Sequence, residues 1–134
     1  MSKIKEEHIA HWTASAENDW DTVIVLMDSK KWVHALFFCH LCIEKYCKAM
    51  WILNNEENVP PKIHNLLKIL DLSKITYDEF AEGLIELNEY QIEGKYTSEL
   101  TNLYSLTTEN RAKVNFEQTE NIKQWLIEKL AQTK

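Results

Sequence analysis

The chain has 134 residues, 45% hydrophobic and 27% charged, enough for one globular domain whose core needs neither a disulfide nor a metal. Its two Gly and two Pro are too few for the tight turns of an all-β domain or for a glycine-rich phosphate loop, so the chain reads as mostly helix. With 15 basic residues against 21 acidic, a net charge of −6 and a single Arg (Arg111), it lacks the basic surface that grips duplex nucleic acid by its phosphates; a local basic cleft stays open.

The first segment alternates charged and apolar residues from Met1 to Trp12, without the apolar stretch of a secretory signal. Ile9, Trp12, Ala16, Val23 and Leu26 then recur at three- and four-residue steps and predict a first helix over about residues 6–29, with Asp19 set inside its apolar stripe. Lys30-Lys31 breaks the pattern. A second helix over about residues 32–54 is the most apolar part of the chain. Ala35, Cys39, Cys42, Ile43, Tyr46, Ala49, Met50 and Leu53 cover one side. His34, His40, Glu44, Lys45 and Lys48 fall within an arc of roughly 140° on the other, shared with Phe37, Leu41 and Trp51. A helix apolar nearly all round is expected to be central and partly buried in a dimer.

Asn54 to Pro61 reads as a loop that Pro60-Pro61 prevents from continuing the helix. A short helix is expected over about residues 64–72. Thr76 and Glu79 match a capping box, predicting a fourth helix to about residue 91. Gly94 breaks the chain, and residues 92–106 read as loop. A last helix over about residues 108–131 turns Ile122, Trp125, Leu126 and Leu130 to the core, while its polar first half, 109–118, projects from the body or frames a cleft. The fold expected is all-α: a compact bundle of about five helices in one domain, 1–134, with antiparallel long helices and a short helix in the middle. No apolar run approaches the ~20 residues of a membrane span, and the three Cys of one short segment do not form a secreted disulfide framework. A soluble, cytoplasmic protein is the expectation.

Cys39-x-x-Cys42 lies about two turns inside a helix on its most apolar side, where buried thiols fit better than zinc ligands or a redox pair. The Glu-x-x-His pairs of a helical di-iron site do not occur. No metal, cofactor or catalytic residue is therefore assigned. Asp19 and Glu44 carry more information. Each is a carboxylate on a face of large apolar groups, and burying it unpaired is expensive, so each should have a partner. For Glu44 the neighbours one turn away are His40 and Lys48. Two readings stay open: an ion pair on a helix surface, or a polar cluster in a cleft between the first two helices.

The second helix and the loop after it, Trp32-x-His34-Ala35-x-Phe37-x6-Glu44-Lys45-x-x-Lys48-Ala49 and then Pro60-Pro61-x-x-His64-Asn65-Leu66, resemble the HEPN domain family. Asp19 falls at the family's helix-one Asp, and Tyr104-x4-Glu109 to Leu130 resembles its long last helix. The resemblance implies a helical bundle, often a homodimer, associated with nucleotides or RNA and frequently encoded beside a minimal nucleotidyltransferase. It also implies a catalytic branch of metal-independent ribonucleases that uses an Arg with a His four to six residues on. Here the only Arg is Arg111, and 112–118 contain no His. The proton-transfer group of that mechanism is missing, so a ribonuclease toxin of a toxin–antitoxin pair is the disfavoured alternative. The non-catalytic branch often carries Arg-Tyr-Pro before the last helix. Gly94-Lys95-Tyr96-Thr97 stands there instead, keeping the Tyr, replacing Arg by Lys and losing the Pro.

The expected function is a non-enzymatic module in which Lys45, Lys48, Lys95, Tyr96 and His64 line a cleft for a nucleotide or an RNA end, with Asp19 and Glu44 positioning those cations or hydrogen-bonding a base or ribose. A homodimer acting with a nucleotidyltransferase partner is expected. The alternative is a protein–protein module without a nucleotide site, anchored by aromatics such as Trp20, Trp32 and Trp51. A third reading, an enzyme of another type built on Asp19, Glu44, His40 and His64, has no visible nucleophile.

Overall fold

The computed structural model describes residues 1–132, which form six α-helices and no strand. The order is α1 (Lys3–Asp28), α2 (Trp32–Asn54), α3 (Leu66–Leu72), α4 (Ala81–Asn88), α5 (Thr97–Leu106) and α6 (Glu109–Gln132), with a 3-10 turn at Asp78–Phe80 leading into α4.

Helix α1 starts where Ser2 accepts a hydrogen bond from the Lys5 amide, 3.1 Å away, and so satisfies one of the free donors of the first turn. It ends at Ser29, and Lys30 takes a left-handed conformation (φ 60°) that turns the chain straight into α2. The two long helices form an antiparallel hairpin. Their far ends are tied by Lys5, whose ammonium donates to the carbonyls of Ile52 (2.7 Å) and Asn55 (2.8 Å) at the end of α2, where a cation also suits the helix dipole.

Helix α2 is the central element expected from its composition. It packs on α1, α3, α4 and α6. Ala35, Leu36, Cys39, Cys42, Ile43, Cys47 and Ile52 are fully buried. Helix α6 crosses the hairpin antiparallel to α1, as the pairs Glu17–Lys123 and Trp20–Phe116 show. Its polar first half does not project. Ala112, Asn115 and Thr119 are buried, and Phe116 stacks on Trp20 at 5.1 Å, so this half closes the bundle.

Three expectations along the chain are corrected. The short helix begins at Leu66 and not at residue 64, because Asn65 accepts from the amides of Leu67 and Lys68 as its N-cap. Thr76 and Glu79 form no capping box; the chain enters α4 through the 3-10 turn with no side-chain cap, and α4 stops at Asn88. Residues 97–106, expected as loop, are helix α5. Its start is set by Glu99, which accepts from the Tyr96 amide at 3.0 Å. Only Leu103 of this helix is buried, so its apolar periodicity is faint. With α5 the described residues hold six helices, in keeping with the all-α bundle of about five expected.

Among the described residues no helix is long and apolar enough to cross a membrane.

Candidate functional site

Two carboxylates sit in the seam between α1 and α2, each matched to a lysine. Trp12, Ser15 and Asp19 lie on one face of α1 by their three- and four-residue spacing, and Glu44, Lys45 and Lys48 face them from α2. Asp19, buried, pairs with Lys45 at 2.7 Å, and the same ammonium donates to the Ser15 hydroxyl at 2.8 Å. Next to Lys45 on α2, buried Glu44 pairs with buried Lys48, one turn on along the same helix, at 2.9 Å. The Lys48 ammonium lies 5.4 Å from the centre of the Trp12 ring, a cation–π contact that lends the buried charge a second partner.

Glu44 has a third neighbour from outside the hairpin. His64, in the loop before α3, brings Nδ1 to 3.1 Å from both carboxylate oxygens. A carboxylate only accepts, so Nδ1 carries the hydrogen, and in the neutral ring the lone pair is left on Nε2. The His64 side chain is 52% exposed while that of Glu44 is 6% exposed, so the ring bridges a buried anion and solvent. The backbone of the same residue is held as well. His40, fully buried on α2, donates from Nε2 to the His64 carbonyl at 2.9 Å. In their neutral forms His40 and His64 therefore carry opposite tautomers. The other His40 nitrogen, Nδ1, is 3.6 Å from Glu44, beyond hydrogen-bond reach. Burial holds the His40 pKa below its usual value, against the pull of Glu44.

Of the residues singled out in the sequence, Asp19, Glu44, Lys45, Lys48 and His64 come together in this seam. Lys95 and Tyr96 do not. They sit in the connection between α4 and α5, Tyr96 is 78% exposed, and neither makes a hydrogen bond or ion pair with the seam. Trp12 and Ser15 were missed as partners, although Ser15 is one turn before Asp19 and Trp12 seven residues before it. The role of His40 as the backbone anchor of His64 had no local signal, since the two are 24 residues apart.

A second crossing of the hairpin faces α6. The Tyr46 hydroxyl donates to Glu17, which also pairs with Lys123 at 3.1 Å, and Lys123 lies 5.3 Å from the Trp20 ring. Nearby, Ile9, Thr13, Tyr46, Leu53, Ile127 and Leu130 line an apolar groove of about 810 Å³. The three cysteines are buried and free; burial pushes the Cys39 thiol up to about 12 and raises Cys42 and Cys47 as well, so all three stay protonated thiols at neutral pH. Among the described residues no group of three or more His, Cys, Asp or Glu side chains is arranged to hold a metal ion.

A family model for the HEPN domain matches residues 9–130. The chain belongs to the HEPN domain family. No curated protein and no solved structure gives a significant match. In this HEPN domain the guanidinium of Arg111 lies 5.9 Å from the Tyr90 ring. The residues four to six positions after it are Asn115, Phe116 and Glu117, and the Asn115 side chain donates back to the Arg111 carbonyl.

Proposed function

We propose that this HEPN domain is a non-enzymatic binding module that receives a nucleotide or an RNA end at the His64 edge of the α1–α2 seam. It works as a homodimer beside a nucleotidyltransferase-type partner. The observation that carries the reading is the Glu44 node: a buried carboxylate, charge-balanced by Lys48, that fixes the orientation of a half-exposed imidazole. Such a ring is a rigid hydrogen-bonding group at the surface, the kind of convergent polar element that orients a ligand. Lys45 and Lys48 act from behind, by holding Asp19 and Glu44 in place. Lys95 and Tyr96 stand outside the site. The absence of a His near Arg111 supports the non-enzymatic reading.

A thermal-shift titration with nucleotides and short RNAs, with the solution mass recorded alongside, tests this. A native-state ligand raises Tm in a concentration-dependent way. The expected result is a dimer whose Tm rises with at least one of these ligands, a rise lost in His64→Asn and kept in Lys95→Ala. No shift with any of them would sink the reading. A stable dimer without a shift would instead favour the protein–protein module, for which the exposed Tyr96 before α5, the exposed Tyr104 and Leu106 on it and the acidic net charge speak.

A further inference from the structure

We infer that the part of the ligand this site contacts is the nucleoside, through a sugar hydroxyl or a base amino group, and not the phosphate; the inference rests on the binding reading above. The charges of the seam are already spent. Lys48 is paired with Glu44 and its side chain is 9% exposed; Lys45 is paired with Asp19 and its side chain is 24% exposed. A phosphate that drew either ammonium away would leave a buried carboxylate without its counter-charge, and the anion would itself approach that carboxylate. What the seam turns toward solvent is different in kind. His64 donates inward from Nδ1 to Glu44, so the neutral ring offers Nε2, which has no partner among the described residues. Nε2 in this tautomer is an acceptor. It complements an O–H or N–H group and repels the acceptor oxygens of a phosphate. Because Glu44 fixes the tautomer and the carbonyl bond to His40 fixes the backbone, the acceptor is set before any ligand arrives.

Calorimetric titration of the full chain with the four common ribonucleosides and their 5′-monophosphates, at low and high salt, separates the possibilities. The expected result is a ribonucleoside that binds within about threefold of its own monophosphate, with little change between the two salt conditions. His64→Asn keeps an amide donor near the Nδ1 position and deletes Nε2. It should weaken both ligands by about tenfold or more while Tm in the absence of ligand stays unchanged. A monophosphate that binds about tenfold or more tighter than its nucleoside would overturn the inference and leave the binding module standing, whereas nucleoside binding retained in His64→Asn would overturn the inference and the placement of the site at His64 together. If neither class binds, the binding reading falls and takes this inference with it.

Discussion

Glu44 and Glu17 are built from the same parts. Each carboxylate pairs with a lysine (Glu44 with Lys48 one turn on along α2 at 2.9 Å, Glu17 with Lys123 across from α6 at 3.1 Å), each lysine lies over a Trp ring of α1, and each carboxylate takes a further donor, His64 or Tyr46. They differ in burial: the Glu44 side chain is 6% exposed and that of Glu17 is 50% exposed. In the first node water cannot replace a lost partner, and in the second it can. The same contact list therefore describes a rigid frame in one place and an adjustable surface tie in the other. Only the buried node ends on a half-exposed ring, which is why it can impose an orientation on that ring.

The largest effect should come from breaking the buried pair on one side. Lys48→Ala leaves Glu44 buried without its counter-charge and is expected to cost about 3–5 kcal/mol in urea unfolding. A loss below about 1 kcal/mol would place Glu44 with Glu17 as a solvated group. Next in size is a pH effect from the same node. Burial depresses the folded pKa of His40, so below about pH 6.5 the unfolded chain takes up a proton that the folded chain refuses. Stability should then fall as pH falls, by up to about 1.4 kcal/mol per pH unit, until the folded pKa is reached. Unfolding curves collected from pH 7 down to about 5 should show this limb in the native chain and a flatter one in His40→Asn. Lys123→Ala, at the exposed node, should cost no more than about 1 kcal/mol, and high salt should erase much of its pair's contribution. The smallest change in stability is expected when both charges of the buried node are replaced together. Glu44→Leu with Lys48→Met should stay within about 1 kcal/mol of the native chain, because a buried pair roughly breaks even against apolar groups of similar size. The same double variant should lose ligand binding, since His64 no longer has its acceptor. Binding retained there would separate the node from the site.

Much of the hairpin is legible in the sequence because its signals are local. The stripe of α1, the Lys30-Lys31 break and the all-round apolar character of α2 locate both helices, and the one-turn spacing of Glu44 and Lys48 announces their pair. A carboxylate on an apolar face needs a counter-charge, and that argument finds the partnership of Asp19 without naming Lys45. Which residue closes the pair depends on the register of α1 against α2, which no local pattern carries. His64 stands 20 residues from Glu44, and its place in the site follows from the family motif and from the path of the loop. Helix α5 was missed because one buried leucine makes a weak stripe, although Glu99 three residues after Tyr96 carries the cap signal. Thr76 and Glu79 show the converse: the pattern is present, and the chain begins with a 3-10 turn at Asp78 instead. Motif position alone links Lys95 and Tyr96 to the seam, and the fold sets them in a separate connection.

The orientation of the two histidines is the most direct test of the account. Long-range nitrogen–proton correlation NMR on the neutral rings distinguishes which nitrogen holds the hydrogen. Opposite tautomers are expected: His64 protonated at Nδ1 toward Glu44, and His40 protonated at Nε2 toward the His64 carbonyl. His64 protonated at Nε2 would mean that Glu44 does not orient the ring, and the site built on that orientation would fall.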